Sequence, residues 1–447
     1  MTAFDNDHPL RRELIADCVH CGFCLPTCPT YVLWGREADS PRGRIHLMAQ
    51  GLDGAALTDS MVGHFDACLG CMACVTACPS GVRYDRLITE TRAQVARRHP
   101  RPAAETARRS AIFALFPHPR LLRALRGPLW AYQASGLRAA VARSGLLEGR
   151  LLEGRLATLA SEVSTIQSLT PRIVRTPRLP ERVAARGRRR AVVGMLTGCV
   201  QAAFFPEVNT ATARVLASEG CDVVIPRSQG CCGALSLHSG RRPEARRFAR
   251  RLLDTFTSAG VDALVVNAAG CGSALKEYAE LLADDPRYAA RAAALAGKVR
   301  DLSEILVELG PVATRHPLPV TVAYHDACHL AHAQGIRAQP RQLLTGIPEL
   351  RLREIADPEV CCGSAGVWNL LNPSPARQLG ERKANDVLAT GAQLLVTANP
   401  GCLMQISAAL RGVAGRPAPV SLAHTAQVLD ASLRGLPVGS LLKNVPS

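Results

Sequence analysis

The chain carries several kinds of hydrophobic pattern. From residue 191 onward, short runs of β-branched and aliphatic residues alternate with longer stretches whose apolar positions recur at helical spacing. The short runs fall within 191–199, 221–226 and 261–267, then within 320–328, 350–355 and 394–399; 206–219 and 242–258 are among the longer stretches. Such alternation predicts βαβ units and parallel sheets. Before residue 100 the spacing predicts helices over 9–16, 44–51 and 85–98, separated by loops. Between 100 and 190, 111–116 and 121–126 are amphipathic, with Pro117 and Pro119 between them and Trp130 and Tyr132 beyond. Arginines fill the polar positions. This is either a helix lying on a membrane surface or, the favoured reading, a connector packed on the next domain. Residues 146–156 repeat Leu-Leu-Glu-Gly-Arg without evident chemistry, and 171–190 read as a Pro- and Arg-rich linker ending in a solvated charge run at Arg186–Arg190.

The strand–helix region is an internal duplication. Cys199 recurs as Cys328, Cys231-Cys232-Gly233 as Cys361-Cys362-Gly363, and Cys271 as Cys402, at offsets of 129, 130 and 131. The cysteines fall just past strand ends, where open α/β sheets bind ligands. Cys199, Cys231, Cys232 and Cys271 are therefore expected to converge on a third metal or cluster site, and Cys328, Cys361, Cys362 and Cys402 on a fourth. A structural zinc or an empty thiol cluster is the competing reading. Cys221 lies inside a strand and reads as a packed core thiol. His325, Asp326, His329 and His332 surround Cys328 as extra ligands, as proton carriers, or as solvated or capping groups.

The densest chemistry is N-terminal. Cys18, Cys21, Cys24 and Cys28, followed by Pro29, and Cys68, Cys71, Cys74 and Cys78, followed by Pro79, both spell C-x2-C-x2-C-x3-C-P. This is the bacterial two-cluster ferredoxin run, in which the fourth cysteine ligates the other cluster. Cluster one is assigned Cys18, Cys21, Cys24 and Cys78; cluster two is assigned Cys28, Cys68, Cys71 and Cys74. Structural zinc prefers separated pairs, and disulfides need an oxidising compartment. Arg42 and Arg44 sit near the clusters or a partner or, the favoured reading, only solvate the surface. The expected fold is α/β overall: an α-helical ferredoxin-like module over 1–100 with two 4Fe-4S clusters, a connector and linker over 101–190, and cysteine-rich repeats over 191–316 and 317–447.

Composition narrows the picture. Hydrophobic residues make up 47% of 447 residues, so a folded chain with real cores is expected. No uninterrupted apolar run is long enough to span a membrane. The polar start, without an apolar h-region, predicts a reducing cytosol in which 17 cysteines signify metal sites. The net charge of +16 is compatible with an anionic membrane surface, an acidic partner or nucleic acid. It is nearly all arginine, as a GC-rich genome produces. Aromatics are only 4% and do not interleave with the basic runs, which argues against a single-strand-binding platform. A metal-sensing nucleic-acid binder stands as the reading from a different class. No nucleophile–base constellation, Walker motif or dinucleotide loop stands out, so the chain is expected to carry electrons rather than perform bond chemistry.

The stretches Cys18-Val19-His20-Cys21-Gly22-Phe23-Cys24, Thr27-Cys28-Pro29-Thr30-Tyr31, Pro41-Arg42-Gly43-Arg44-Ile45, Cys78-Pro79-Ser80-Gly81-Val82-Arg83-Tyr84 and His424-Thr425-Ala426-Gln427-Val428-Leu429-Asp430 resemble the iron-sulfur subunit of glycolate oxidase (glycolate dehydrogenase). The resemblance covers most of the chain and is weakest over 100–190. It implies an oxidoreductase complex with FAD-containing partner subunits that oxidise glycolate, and D-lactate as a second substrate, to the oxo acid. Electrons would pass through this subunit toward quinone, peripherally at the cytoplasmic face of the inner membrane. The corresponding subunit of an anaerobic glycerol-3-phosphate or lactate dehydrogenase is the near alternative. The repeats also resemble those of heterodisulfide reductase, which end in a C-x2-C pair. Here Gly272-Ser273-Ala274 follows Cys271 and Leu403-Met404-Gln405 follows Cys402, so that pair is missing from both repeats.

Overall fold

The computed structural model describes residues 3–7, 9–137, 141, 154–174, 176–413 and 420–442. Most of the Leu-Leu-Glu-Gly-Arg repeat, 146–153, lies outside the described residues.

The N-terminal part is a small helical bundle. Pro41–Leu52 is started by Ser40, whose Oγ accepts from the Gly43 N–H at 3.0 Å, with Pro41 at the first helical position. Asp59–Ala67 is capped in the same way by Thr58. Tyr84–Arg98 closes the bundle. Met48, Phe65, Leu87 and Ile88 are buried together at its centre. The prolines that end the cysteine runs act differently from each other. Pro29 opens a helix, Pro29–Trp34, where its missing N–H costs nothing, whereas Pro79 lies in a turn.

Beyond residue 180 are two sheets. The first contains β1 (Arg182–Val183), β2 (Ala191–Leu196), β3 (Cys221–Val224), β4 (Ala263–Val266) and β5 (Val299–Asp301), in the order β1-β3-β2-β4-β5. The second contains β6 (Thr321–Tyr324), β7 (Arg351–Glu354), β8 (Leu394–Thr397) and β9 (Ser421–His424), in the order β7-β6-β8-β9. Apart from antiparallel β1, every pairing is parallel. Dropping β1 makes the two orders equivalent, so the duplication seen in the cysteines is a duplication of topology. It extends to the ends: β5 and β9 each lead into a helix opened by a capping box, Asp301 with Glu304 and His424 with Gln427. Strands β5 (Val-Arg-Asp) and β9 (Ser-Leu-Ala-His) carry too few apolar residues to stand out as hydrophobic runs. The segment read as a linker supplies β1, which pairs Arg182 with Val224.

The repeats share one core. Val193, Val215 and Val265 of the first pack in the same buried cluster as Val322, Val396 and Leu429 of the second. Arg214 clamps Asp430 in a two-point ion pair at 2.7 and 2.5 Å across this contact. His424 Nε2–H donates to the Asn267 carbonyl at 2.8 Å, which leaves Nδ1 to accept from the Ala426 N–H. The two sheets are thereby joined near their carboxyl ends.

The amphipathic region forms helices Ala103–Leu115 and Pro119–Ala134. Phe113 lies beneath the Arg241 guanidinium, and Leu122 is buried with Cys199, Cys231 and Phe248. The apolar stripe therefore packs on the first repeat, as a connector does, while Leu121 and Trp130 stay exposed. No helix among the described residues is long and apolar enough to cross a membrane.

Candidate cluster sites

Two small cavities lie in the N-terminal bundle, and each takes thiols from both cysteine runs. One is bordered by Cys18, Cys21, Cys24, Cys74 and Cys78. The other is bordered by Cys28, Cys68, Cys71 and Cys74. The fourth cysteine of each run thus reaches across to the opposite cavity, and Cys74 borders both. The loops wrap by left-handed residues on either side of each second cysteine: His20 and Gly22 around Cys21, Gly70 and Met72 around Cys71. Backbone N–H groups then point at sulfur, as Gly70 does at Cys68 (3.3 Å) and Val82 at Cys78 (3.4 Å).

The cavities differ in exposure. Cys21 is exposed and flanked by Val19 and Phe23, 68% and 67% accessible. All four thiols around the second cavity are buried. Arg42 braces the outer loop, donating to the His20 carbonyl at 2.7 Å and to Glu37 at 2.6 Å. Arg44 departs from the surface role expected of it. It is 1% accessible and borders the second cavity. Its guanidinium donates to the His64 carbonyl at 2.6 Å and to Thr30 Oγ1 at 3.1 Å, with Asp39 at 3.6 Å. Burial opposes its charge, but Tyr84, Cys68, Cys28 and Asp39 outweigh that and raise its pKa.

Every cysteine is a free thiol. Burial pushes Cys24 up to about 11. Cys71 and Cys74 are held well above the ordinary thiol range, by burial first and then by neighbouring cysteines. Burial also opposes ionisation of Cys68, but Arg44 and Arg92 overcome it and lower its pKa. Crowded buried thiols cannot ionise together unless a cation sits among them. An all-thiolate donor set around two enclosed spaces fits iron–sulfur cubes.

The eight cysteines of the repeats open on one shared cavity of about 480 Å³, rather than on two separate sites. It lies where the carboxyl ends of the two sheets face each other, joined by the Ala269 N–H to the Ala398 carbonyl at 3.2 Å. Within it the quartets stay distinct. Cys231 contacts Cys199 and Cys232, and Cys232 contacts Cys271. Cys361 lies 4.0 Å from Cys328 and touches Cys362, which touches Cys402. The glycine after each vicinal pair is forced. Gly233 and Gly363 have φ of 79° and 87°, and a Cβ there would lie 3.2 Å from the Ala245 carbonyl and 2.7 Å from that of Ala376. Cys221 is buried in β3 within the shared core, apart from both quartets.

The residues around Cys328 divide. His325 lies with Cys362 and Cys402, their ligand atoms all within 4.8 Å of one another. His329 lines the cavity and stacks on His238, ring centroids 4.9 Å apart. His332 turns away to Thr76, Arg337 and Glu359, and Asp326 is held by Arg341. His238 carries no recognisable motif; only the packing of the two repeats brings it to His329. Arg92, likewise unmarked in sequence, donates to the carbonyls of Cys68 and His238 and ties the bundle to the first repeat.

The bundle also meets the second repeat. Cys71 packs with Val360, Cys361 and Trp368, and Cys328 lies against the same group. Trp368 Nε1–H donates to the Asp66 carbonyl at 3.2 Å. The inner cavity of the bundle therefore adjoins the second quartet.

Crossed cysteine runs joined to a duplicated cysteine-rich α/β unit define an iron–sulfur electron-transfer protein. Family profiles agree: residues 14–82 match the 4Fe-4S dicluster domain, 104–162 the linker region of glycolate oxidase iron-sulfur subunits, and 193–276 and 322–407 the cysteine-rich domain. The chain belongs to the family of glycolate oxidase iron-sulfur subunits. It is 38% identical to the probable glycolate oxidase iron-sulfur subunit of Bacillus subtilis, covering 92% of each chain. It is 35% identical to the glycolate oxidase iron-sulfur subunit of Escherichia coli, over 94% of this chain and 95% of that one. Lactate utilization protein A of Exiguobacterium sp. is 31% identical over 54% of this chain and 98% of its own.

Proposed function

We propose that this chain is the electron-carrying subunit of a glycolate-oxidising complex. Glycolate, or D-lactate, gives up two electrons and two protons to FAD on a partner subunit. The electrons leave one at a time through this chain, and a quinone takes up two electrons and two protons at the cytoplasmic membrane face. Bound clusters supply one-electron acceptance and release. Cys18, Cys21, Cys24 and Cys78 hold the outer one, and Cys28, Cys68, Cys71 and Cys74 the inner one. The quartets Cys199, Cys231, Cys232, Cys271 and Cys328, Cys361, Cys362, Cys402 are the third and fourth metal sites.

The observation that carries this reading is the burial of Cys71 in one cluster with Cys361, with Cys328 packed against it. It makes the bundle and the second quartet one continuous set of thiols, exposed at Cys21 and buried inward. The exposed Val19 and Phe23 beside Cys21 offer an apolar surface for a flavin-bearing partner. The basic surface and the exposed Leu121 and Trp130 on the connector suit an anionic membrane face.

The test is co-purification with the flavin partner and assay of quinone-analogue reduction with glycolate, D-lactate and glycerol 3-phosphate. Glycolate turnover that requires this chain is expected. Turnover of glycerol 3-phosphate alone would move the chain to the other dehydrogenase.

A further inference from the structure

The duplication lets each residue of the second repeat be compared with its counterpart in the first. Both quartets are chains of touching sulfurs, yet their surroundings differ at two positions. His325 stands three residues before Cys328; the residue three before Cys199 is Leu196. Lys383 stands on the helix Pro373–Ala389 behind Cys362; at the repeat offset of 130 its counterpart is Leu253. Leu196 and Leu253 are buried core residues, as a duplicated α/β scaffold requires. The second repeat has replaced both with buried nitrogen bases at 2% and 1% accessibility.

Both replacements act on the same sulfurs. The ligand atoms of His325, Cys362 and Cys402 lie within 4.8 Å of one another. Donors around one metal ion lie roughly 3.5–4 Å apart, given bond lengths near 2.0–2.3 Å, so a small closure brings all three onto one metal. Lys383 Nζ–H donates to the Asp357 carbonyl at 2.8 Å and pairs with Asp386 at 3.6 Å, within electrostatic reach of Cys362. Asn399 Nδ2–H donates to Cys402 Sγ at 3.5 Å, where the first repeat has Ala268. An amide donor at sulfur and a buried amine near the vicinal pair give the second quartet polar surroundings. At the matching positions the first quartet has only Leu196, Leu253 and Ala268, so its four residues offer sulfur alone.

We propose that the two quartets are chemically unequal, and that the second repeat holds an iron–sulfur centre of mixed ligation, with His325 nitrogen bound beside Cys362 and Cys402. Thiolates and imidazole together select iron, zinc or copper over hard cations. The adjoining Cys71 favours the redox-active choice, since zinc there would end the relay. His325 adds a neutral ligand to a quartet that keeps its four cysteines, and an iron completed by its nitrogen rather than by a further thiolate carries less negative charge and a higher potential, as histidine ligation gives in other iron–sulfur proteins. The second repeat thereby becomes the more oxidising neighbour of the inner cluster. This site stands on the chain's own residues and does not depend on which hydroxy acid the complex oxidises.

The test uses full-length protein purified anaerobically and enriched in 57Fe, with no substrate present. Iron analysis is expected to give more than the roughly eight irons of two cubes, and the Mössbauer spectrum to contain an additional component. His325→Leu, which restores the first repeat's residue, removes or shifts that component and leaves the cubane signals in place. His325→Cys retains the iron with altered parameters. Protein grown with 15N-histidine shows an iron–nitrogen coupling by pulsed EPR of the reduced centre, absent in His325→Leu. The proposal is overturned by an iron count of about eight or fewer, by zinc in the site, or by an additional component that His325→Leu leaves unchanged. Loss of glycolate turnover with these spectra intact would overturn the functional reading alone.

Discussion

Replacing Arg44 by Met should lower the potential of the inner cluster. A positive charge beside the cluster favours its reduced, more negative state, so removing the charge makes reduction harder. At an effective dielectric of about 20, two unit charges about 5 Å apart interact by about 3.3 kcal/mol. At about 1.4 kcal/mol per 59 mV for one electron, this is about 140 mV. Asp39, 3.6 Å from the guanidinium, carries the opposite charge and offsets roughly half, which leaves a shift of about −70 mV. The assay is an EPR-monitored redox titration of the anaerobic protein. Breaking a buried pair costs about 3–5 kcal/mol, so Arg44→Lys, which keeps the charge, serves as the control and should stay within about 30 mV of wild type, on the same charge argument. A shift under about 20 mV in Arg44→Met with the cluster present, or an equal shift in the outer cluster, would refute the assignment of Arg44 as a charge acting locally on the inner one.

Other expectations follow from the same geometry. Cys24→Ser should damage the outer cluster and Cys28→Ser the inner one; loss of only the outer signal in Cys28→Ser would mean that the runs do not cross. Gly363→Ala forces a side chain into a left-handed backbone against the Ala376 carbonyl and should cost about 1–3 kcal/mol, read as a lowered Tm with the two cubane signals unchanged. His424 must be neutral to accept from Ala426, and burial lowers its pKa to about 4. Its unfolded value is near 6.5, so the unfolded chain binds more protons between the two. The stability this group contributes is therefore complete above about pH 6.5 and lost as pH falls through about 4, by up to about 3 kcal/mol. His424→Asn, which still caps the helix, should flatten Tm against pH across that window; an unchanged slope would show that His424 does not titrate there.

What was legible in the sequence was what depends on spacing. The C-x2-C-x2-C-x3-C-P runs state their wrapping directly, and the offsets near 130 announce the duplicated sheets. Helix Tyr84–Arg98 lies within a residue of the expected 85–98. What was not legible depends on packing between distant segments. Arg44 is one arginine among many in an arginine-rich chain, and nothing local marks it as the buried one. The two quartets open on one cavity only because the repeats meet at their carboxyl ends, through the shared core and His424. His238 and Arg92 gain their positions from the same docking, across sequence separations that no local pattern encodes.

The unequal burial of the two thiol loops sets how the protein ages in air. Cys21 lies in an exposed loop, while the four inner thiols are buried and Cys71 is covered by the second repeat. Aerobic exposure should therefore bleach the outer cluster first and leave the inner one readable for longer. Damage should begin at the rim of the molecule and spare its centre, so a partly inactivated preparation should lose the outer signal while it keeps the inner one.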